Sequence, residues 1–142
     1  MSDAPAELAW REVVALHDFF VRWFCGAPDA PDFADCERAF APDFRMIGPD
    51  GVTHLRAAVV ERLRGAYASQ PASFSIAVSD PHVVSESGGD VLLEYTERQY
   101  RDGRTTFRRS TALFQASPTA PRGVLWRHLQ ETWMDKDEGD RG

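Results

Sequence analysis

The spacing of apolar residues changes period once along this 142-residue chain, near Ser73. Before that point apolar side chains recur every three or four residues, as on a helix. After it they alternate, as on a half-buried strand. A chain built this way places helices first and a sheet second, an α+β arrangement in which the helices cover one sheet face. The first spacing predicts a helix from about Ala6 to Phe24, with Leu8, Val13, Leu16, Phe20 and Phe24 as its buried stripe. Ser2 or Asp3 is expected to cap it, Pro5 suits its first turn, and Cys25-Gly26-Ala27-Pro28 stops it. Asp32 is expected to cap a short second helix carrying Phe33, Cys36, Ala39 and Phe40, which Pro42 ends. Phe44-Arg45-Met46-Ile47 reads as a short strand and Gly48-Pro49-Asp50-Gly51 as a turn. A third helix follows from about His54 to Ala68, capped by Thr53 and burying Leu55, Ala58, Val59 and Leu63.

Four long strands are legible beyond the switch: Phe74 to Val84, Val91 to Arg101, Thr105 to Ala116, and Val124 to Met134. Gly88-Gly89-Asp90 and Asp102-Gly103 carry the residues that hairpin turns with positive φ demand. One domain spanning residues 1–142 is expected, with a charged tail fraying after about 135.

Composition narrows the function classes. Fifteen arginines and one lysine face 22 acids, for a formal charge of −6. An acidic balance with no basic cluster speaks against a nucleic-acid partner. Apolar runs are short and the first residues lack the basic and apolar segments of a leader, so no membrane association and a cytoplasmic location are expected. Two cysteines, Cys25 and Cys36, cannot build a disulfide framework, and no Cys-x-x-Cys or His-x-x-x-His spacing offers a metal site. No cofactor is expected.

Three segments resemble the SnoaL-like branch of the nuclear-transport-factor-2-like (NTF2-like) superfamily. They are the aromatic end of the first helix, Phe20-Val21-Arg22-Trp23-Phe24, the strand and turn from Phe44 to Gly51, and the last strand from Leu125 to Trp133. The resemblance spans nearly the whole chain and implies a cystatin-like cone: three N-terminal helices packed on a curved, mainly antiparallel sheet that leaves a pocket at one end. It also implies a homodimer through the convex sheet face and an unidentified small-molecule ligand. Such domains include isomerases, cyclases, dehydratases and assembly modules, so fold does not decide activity.

Strand alternation nominates pocket residues. On the last strand Trp126, His128 and Gln130 share one face, assigned to the concave side. Leu125, Leu129 and Trp133 share the other, assigned to a partner interface; a one-residue bulge would invert the assignment. His128 is the candidate acid or base, with a structural core imidazole as the alternative. Glu97, on a strand face with Leu93, Tyr95 and Gln99, reads either as a desolvated general base or as an ion-pair partner of Arg108 or Arg109. Tyr95 and Arg109 are candidates to stabilise an anionic oxygen, and Trp23, Trp126 and Gln130 to line a ligand site. His17, mid-helix, reads as structural. The steroid isomerases of the superfamily need a pocket aspartate, whereas Asp80, Asp90 and Asp102 here fall at strand ends or turns. The chain therefore reads as a pocket protein acting on a carbonyl compound by proton transfer, or as an assembly module with a vestigial pocket.

Overall fold

The computed structural model describes residues 4–134. The expected caps Ser2 and Asp3, and the expected frayed tail, lie outside the described residues.

Helix α1 (Pro5–Phe24) starts with proline in its first turn and no side-chain cap; Ala4 holds the N-cap position. It ends at Gly26, whose φ of +65° turns the chain out of the helix. A side chain there would also collide with Ala68, whose Cβ lies 2.8 Å from the position a Cβ would take. Helix α2 (Phe33–Arg38) is capped by Asp32, which accepts a hydrogen bond from the Ala34 N–H at 3.0 Å.

Strand β1 runs Phe40–Ile47, so Phe40 belongs to the sheet rather than to the second helix. A short strand β2 (Thr53–Leu55) returns antiparallel to it. This strand occupies residues expected to cap and open the third helix. Helix α3 is consequently shorter (Arg56–Gly65), buries Val59 and Val60, and leaves Leu55 65% exposed. The remaining strands are β3 (Ser75–Ser87), β4 (Asp90–Arg101), β5 (Arg104–Ala116) and β6 (Val124–Trp133). Gly88-Gly89 and Asp102-Gly103 form the two hairpin turns, all four residues having positive φ.

The six strands form one sheet in the order β2-β1-β6-β5-β4-β3. All neighbours are antiparallel except β1 and β6, which run parallel. Beyond Trp126 the β5–β6 ladder skips a residue: Phe114 opposes Trp126, but Leu113 opposes His128, leaving Arg127 as a bulge.

Helix α1 lies against the sheet with its Val13, Leu16 and Phe19 in the core beside Leu93, Phe114, Trp126 and Phe40. Two ionisable residues, Glu12 and His17, are buried with them. Arg122, in the β5–β6 connection, grips Glu12 with two hydrogen bonds, Nε to Oε1 at 2.8 Å and Nη2 to Oε2 at 3.1 Å. The Trp126 indole N–H adds a third at 3.0 Å. Burial pushes the Glu12 carboxyl upward, against the pull of Arg122 and Trp126.

A buried carboxylate held this way is costly to strand and costly to delete. Glu12→Ala leaves the Trp126 N–H without an acceptor and is expected to cost about 3 kcal/mol, read as a lower urea midpoint. Glu12→Gln keeps an acceptor and is expected to cost less.

Candidate functional site

Helices α1 and α3 and strands β1, β3, β4, β5 and β6 line a cavity of about 180 Å³. Its apolar wall includes Phe20, Phe24, Phe44, Met46 and Leu129. Its polar wall draws one or two residues from each of five elements: His17 from α1, Arg62 from α3, Glu97 and Gln99 from β4, Arg108 from β5 and Glu131 from β6. Strand pairing explains the gathering. Glu97 sits opposite Arg108, and Glu131 lies two residues along β6 from Trp133, the partner of Arg108 on that strand. Helix α1 crosses above them and supplies the imidazole.

His17 Nε2 lies 3.0 Å from Glu97 Oε1, and Nδ1 lies 2.7 Å from the Val13 carbonyl. Both ring nitrogens face acceptors that cannot donate in return once Glu97 is ionised, so both donate and the ring is an imidazolium. Burial resists that charge, yet Glu97 outweighs it and raises the His17 pKa above its ordinary value. Burial likewise opposes the Glu97 anion, but the His17 cation and its hydrogen bond, with Arg108 and Gln99, hold the carboxyl down to about 2. Gln99 donates its amide N–H to the second Glu97 oxygen. The Arg108 Nε is 3.9 Å from that oxygen and has no hydrogen-bond partner among the described residues, while Nη1 donates to Glu131 Oε1 at 3.2 Å. Glu131 is displaced the other way. Burial, with the Glu97 carboxylate beside it, lifts its pKa above the usual range against the attraction of Arg108. The two neighbouring carboxylates are thus driven apart in acidity, the arrangement that lets one stay charged while the other exchanges a proton.

No protein-family model matches the sequence, and no curated protein matches it significantly. Solved structures match the fold. An NTF-2-like protein of unknown function from Pseudomonas aeruginosa superposes with a TM-score of 0.81 at 26% identity, covering 90% of this chain and 99% of that one. The chain has the NTF2-like fold. A CaMKII hub from S. rosetta shares the fold with a TM-score of 0.73 and 15% identity, covering 94% of this chain and all of that one. A protein provisionally described as a ketosteroid isomerase, from Parabacteroides distasonis, has a TM-score of 0.60 at 10% identity and covers 87% and 86%.

Within this NTF2-like cone the residues nominated from sequence scatter. Glu97 and Trp126 line the cavity. His128 and Gln130 do not: the bulge at Arg127 reverses the alternation, so Leu129 and Glu131 face inward in their place. His128 lies on the outer face beside Arg45, its strand partner, and burial and that arginine depress its pKa. The same reversal removes Leu129 and Trp133 from the expected partner interface. Leu129 lines the cavity, and the Arg108 guanidinium stacks over Trp133 at 4.7 Å on the inner side. Arg109 points away from Arg108 and is exposed. Trp23 packs among Phe19, Phe33 and Tyr67, donates to the Leu63 carbonyl at 2.9 Å, and borders a separate recess. Tyr95 is buried behind the cavity, edge-on to His17, with its hydroxyl beside that of Ser110, its partner on β5. Among the described residues no group of three or more His, Cys, Asp or Glu is placed to hold a metal ion, and no helix is long and apolar enough to cross a membrane.

Sequence reading misses His17 and Arg108 as cavity groups, and strand alternation puts Glu131, readable as a desolvated base or an ion-pair partner, on the convex face with Leu125 and Trp133. The signal for His17 was present. It falls four residues after Val13 and three before Phe20, inside the apolar stripe, where a polar residue must be paired.

The His17–Glu97 pair gives stability a defined pH window. The Glu97 contribution is complete above its ordinary value of 4.5 and is lost as pH falls toward about 2. The His17 contribution is complete below 6.5 and is lost as pH rises through the raised pKa. Glu131, displaced upward, acts in the opposite sense on the acid side in any variant that keeps it. Subtracting the urea-derived stability of Glu97→Gln from that of the parent is therefore expected to give a difference largest between pH 4.5 and 6.5 and smaller on both sides. A difference independent of pH would refute the ion pair.

Proposed function

We propose that the chain is a SnoaL-like pocket protein that binds a small hydrophobic, partly polar ligand and moves a proton on a carbonyl compound. The observation that carries this reading is the acid–base cluster set in a mainly apolar cavity that Arg62 also lines, with Glu131 and Glu97 displaced in opposite directions. Glu97, anionic to low pH, is too weak a base for carbon acids and serves to keep His17 charged. Glu131 is the base. Its raised pKa increases its appetite for a proton while leaving it ionised over part of the working range. It takes the proton from the carbon next to the carbonyl. The electron pair moves onto the carbonyl oxygen, where Arg108 or the His17 cation meets the developing charge. Returning the proton to another carbon completes an isomerisation without any redox partner.

The cavity volume bounds the ligand. An apolar cavity on the order of 150 Å³ accepts benzene, so about 180 Å³ has room for a single ring. Cyclohexanone and acetophenone in deuterium oxide are suitable probes. The protein is expected to accelerate loss of their α-proton signals by NMR, with a rate that rises with pH as Glu131 ionises. Glu131→Gln is expected to lower that acceleration about 100-fold. Exchange no faster than in buffer for both ketones would remove the catalytic reading.

One observation favours a second reading, an assembly module. After the bulge the outer sheet face carries Leu92, Leu113 and His128 in register across three strands, with Leu125 near them. All four are half-buried in the single chain. A homodimer seated there is compatible with a working cavity on the other face. Leu113→Glu is expected to convert such a dimer to monomers by light scattering, and an unchanged mass at low micromolar concentration would exclude this face.

A further inference from the structure

A second recess, of about 350 Å³, opens beside the cavity at the β4–β5 hairpin end of the sheet. Gln99 and Arg108 belong to the walls of both, so the two spaces meet at these side chains. The recess differs in character from the cavity. Arg101, Arg104, Asp102 and Trp133 complete its walls. Arg101 lies over the Phe74 ring at 5.3 Å and reaches Gln99 Oε1 at 3.5 Å. Among the described residues, neither Arg101 nor Arg104 pairs with a carboxylate, while the charge of Arg108 is answered by Glu97 and Glu131. With Asp102 counted against the two arginines, the recess holds, among the described residues, one unanswered positive charge in a protein whose formal charge is −6. Trp133, 53% exposed, offers a flat apolar wall next to that charge.

We infer that the recess is an anion subsite, and that the ligand of the cavity is a small carboxylic acid whose ring or short acyl chain enters the cavity while its carboxylate rests on Arg101 and Arg104. The inference rests on the pocket reading above and specifies its ligand. A planar guanidinium fork matches the two oxygens of a carboxylate, and the pair keeps its strength where an aromatic wall displaces water. The single net positive charge fits a monoanion better than a doubly charged phosphate ester.

Phenylacetate and its neutral isostere phenylacetamide, titrated by isothermal calorimetry, separate the possibilities, with phenyl phosphate as a third probe. Phenylacetate is expected to bind the parent at least about tenfold more tightly than the amide. The double variant Arg101→Gln/Arg104→Gln, both changes at exposed positions, is expected to bring that ratio to about one while leaving amide affinity unchanged. Circular dichroism would verify its fold. Equal binding of acid and amide to the parent would overturn the anion subsite while the cavity reading stands, and so would a ratio that survives the double variant. Tighter binding of phenyl phosphate than of phenylacetate would overturn the assignment of a monoanion. Binding of none of the three would overturn both the subsite and the cavity reading beneath it.

Discussion

Burying an ionisable group without a partner costs several kcal/mol, and helix α1 buries two. Glu12 and His17 stand on the face that enters the core, and each must find an opposite charge or a hydrogen bond within reach. Glu12 finds Arg122 and Trp126 on one side of the sheet's inner face, and His17 finds Glu97 on the neighbouring part of it. Apolar contacts alone would tolerate sliding or rotation of the helix by a fraction of a turn. Two charge pairs at separate points along it do not. The position of the helix over the sheet, and with it the roof of the cavity, follows from these pairings.

The second constraint is one of parity. In a regular strand every second side chain faces inward, and a single extra residue exchanges the two sets. Arg127 is that residue in β6. It reaches outward to Asp43 at 2.8 Å, an exposed contact that accounts for little stability. Its importance lies in what it does to the residues after it. Trp126 remains inside to meet Glu12, and from Leu129 onward the strand presents the opposite set, which brings Glu131 rather than Gln130 into contact with Arg108.

The arrangement of elements was legible because it depends on features that repeat. The period switch, the Gly-Gly and Asp-Gly turns and the Asp32 cap each act over a few residues and left their marks in the chain. The third helix was read too long because Thr53 and His54 suit a cap as well as a strand, and only pairing with Ile47 and Met46 in β1 decides between them. The site was legible in part. Glu97 and Trp126 lie before or away from the bulge, where alternation applies. His128 and Gln130 lie after it, and no local signal in Leu125-Trp126-Arg127-His128 marks a skipped residue. His17 was undervalued for a different reason: its partner is eighty residues away, and a lone histidine in an apolar stripe gives no indication of which charge will meet it.

The parallel pairing of β1 with β6 places the last strand of the sequence in the interior of the sheet, between the earliest strand and β5. Contacts this distant along the chain are slow to form, because a long loop must close before they reward the closure. During synthesis the β3–β4–β5 meander can assemble from local hairpins, but β1, β2 and the helices that pack on them have no sheet to join until β6 emerges. Trp126 then fills the space among Phe40, Phe114 and His17. The nascent chain therefore carries an unfilled aromatic core until β6 has emerged, so a ribosome stalled before β6 would present that core to chaperones rather than a shortened version of the fold.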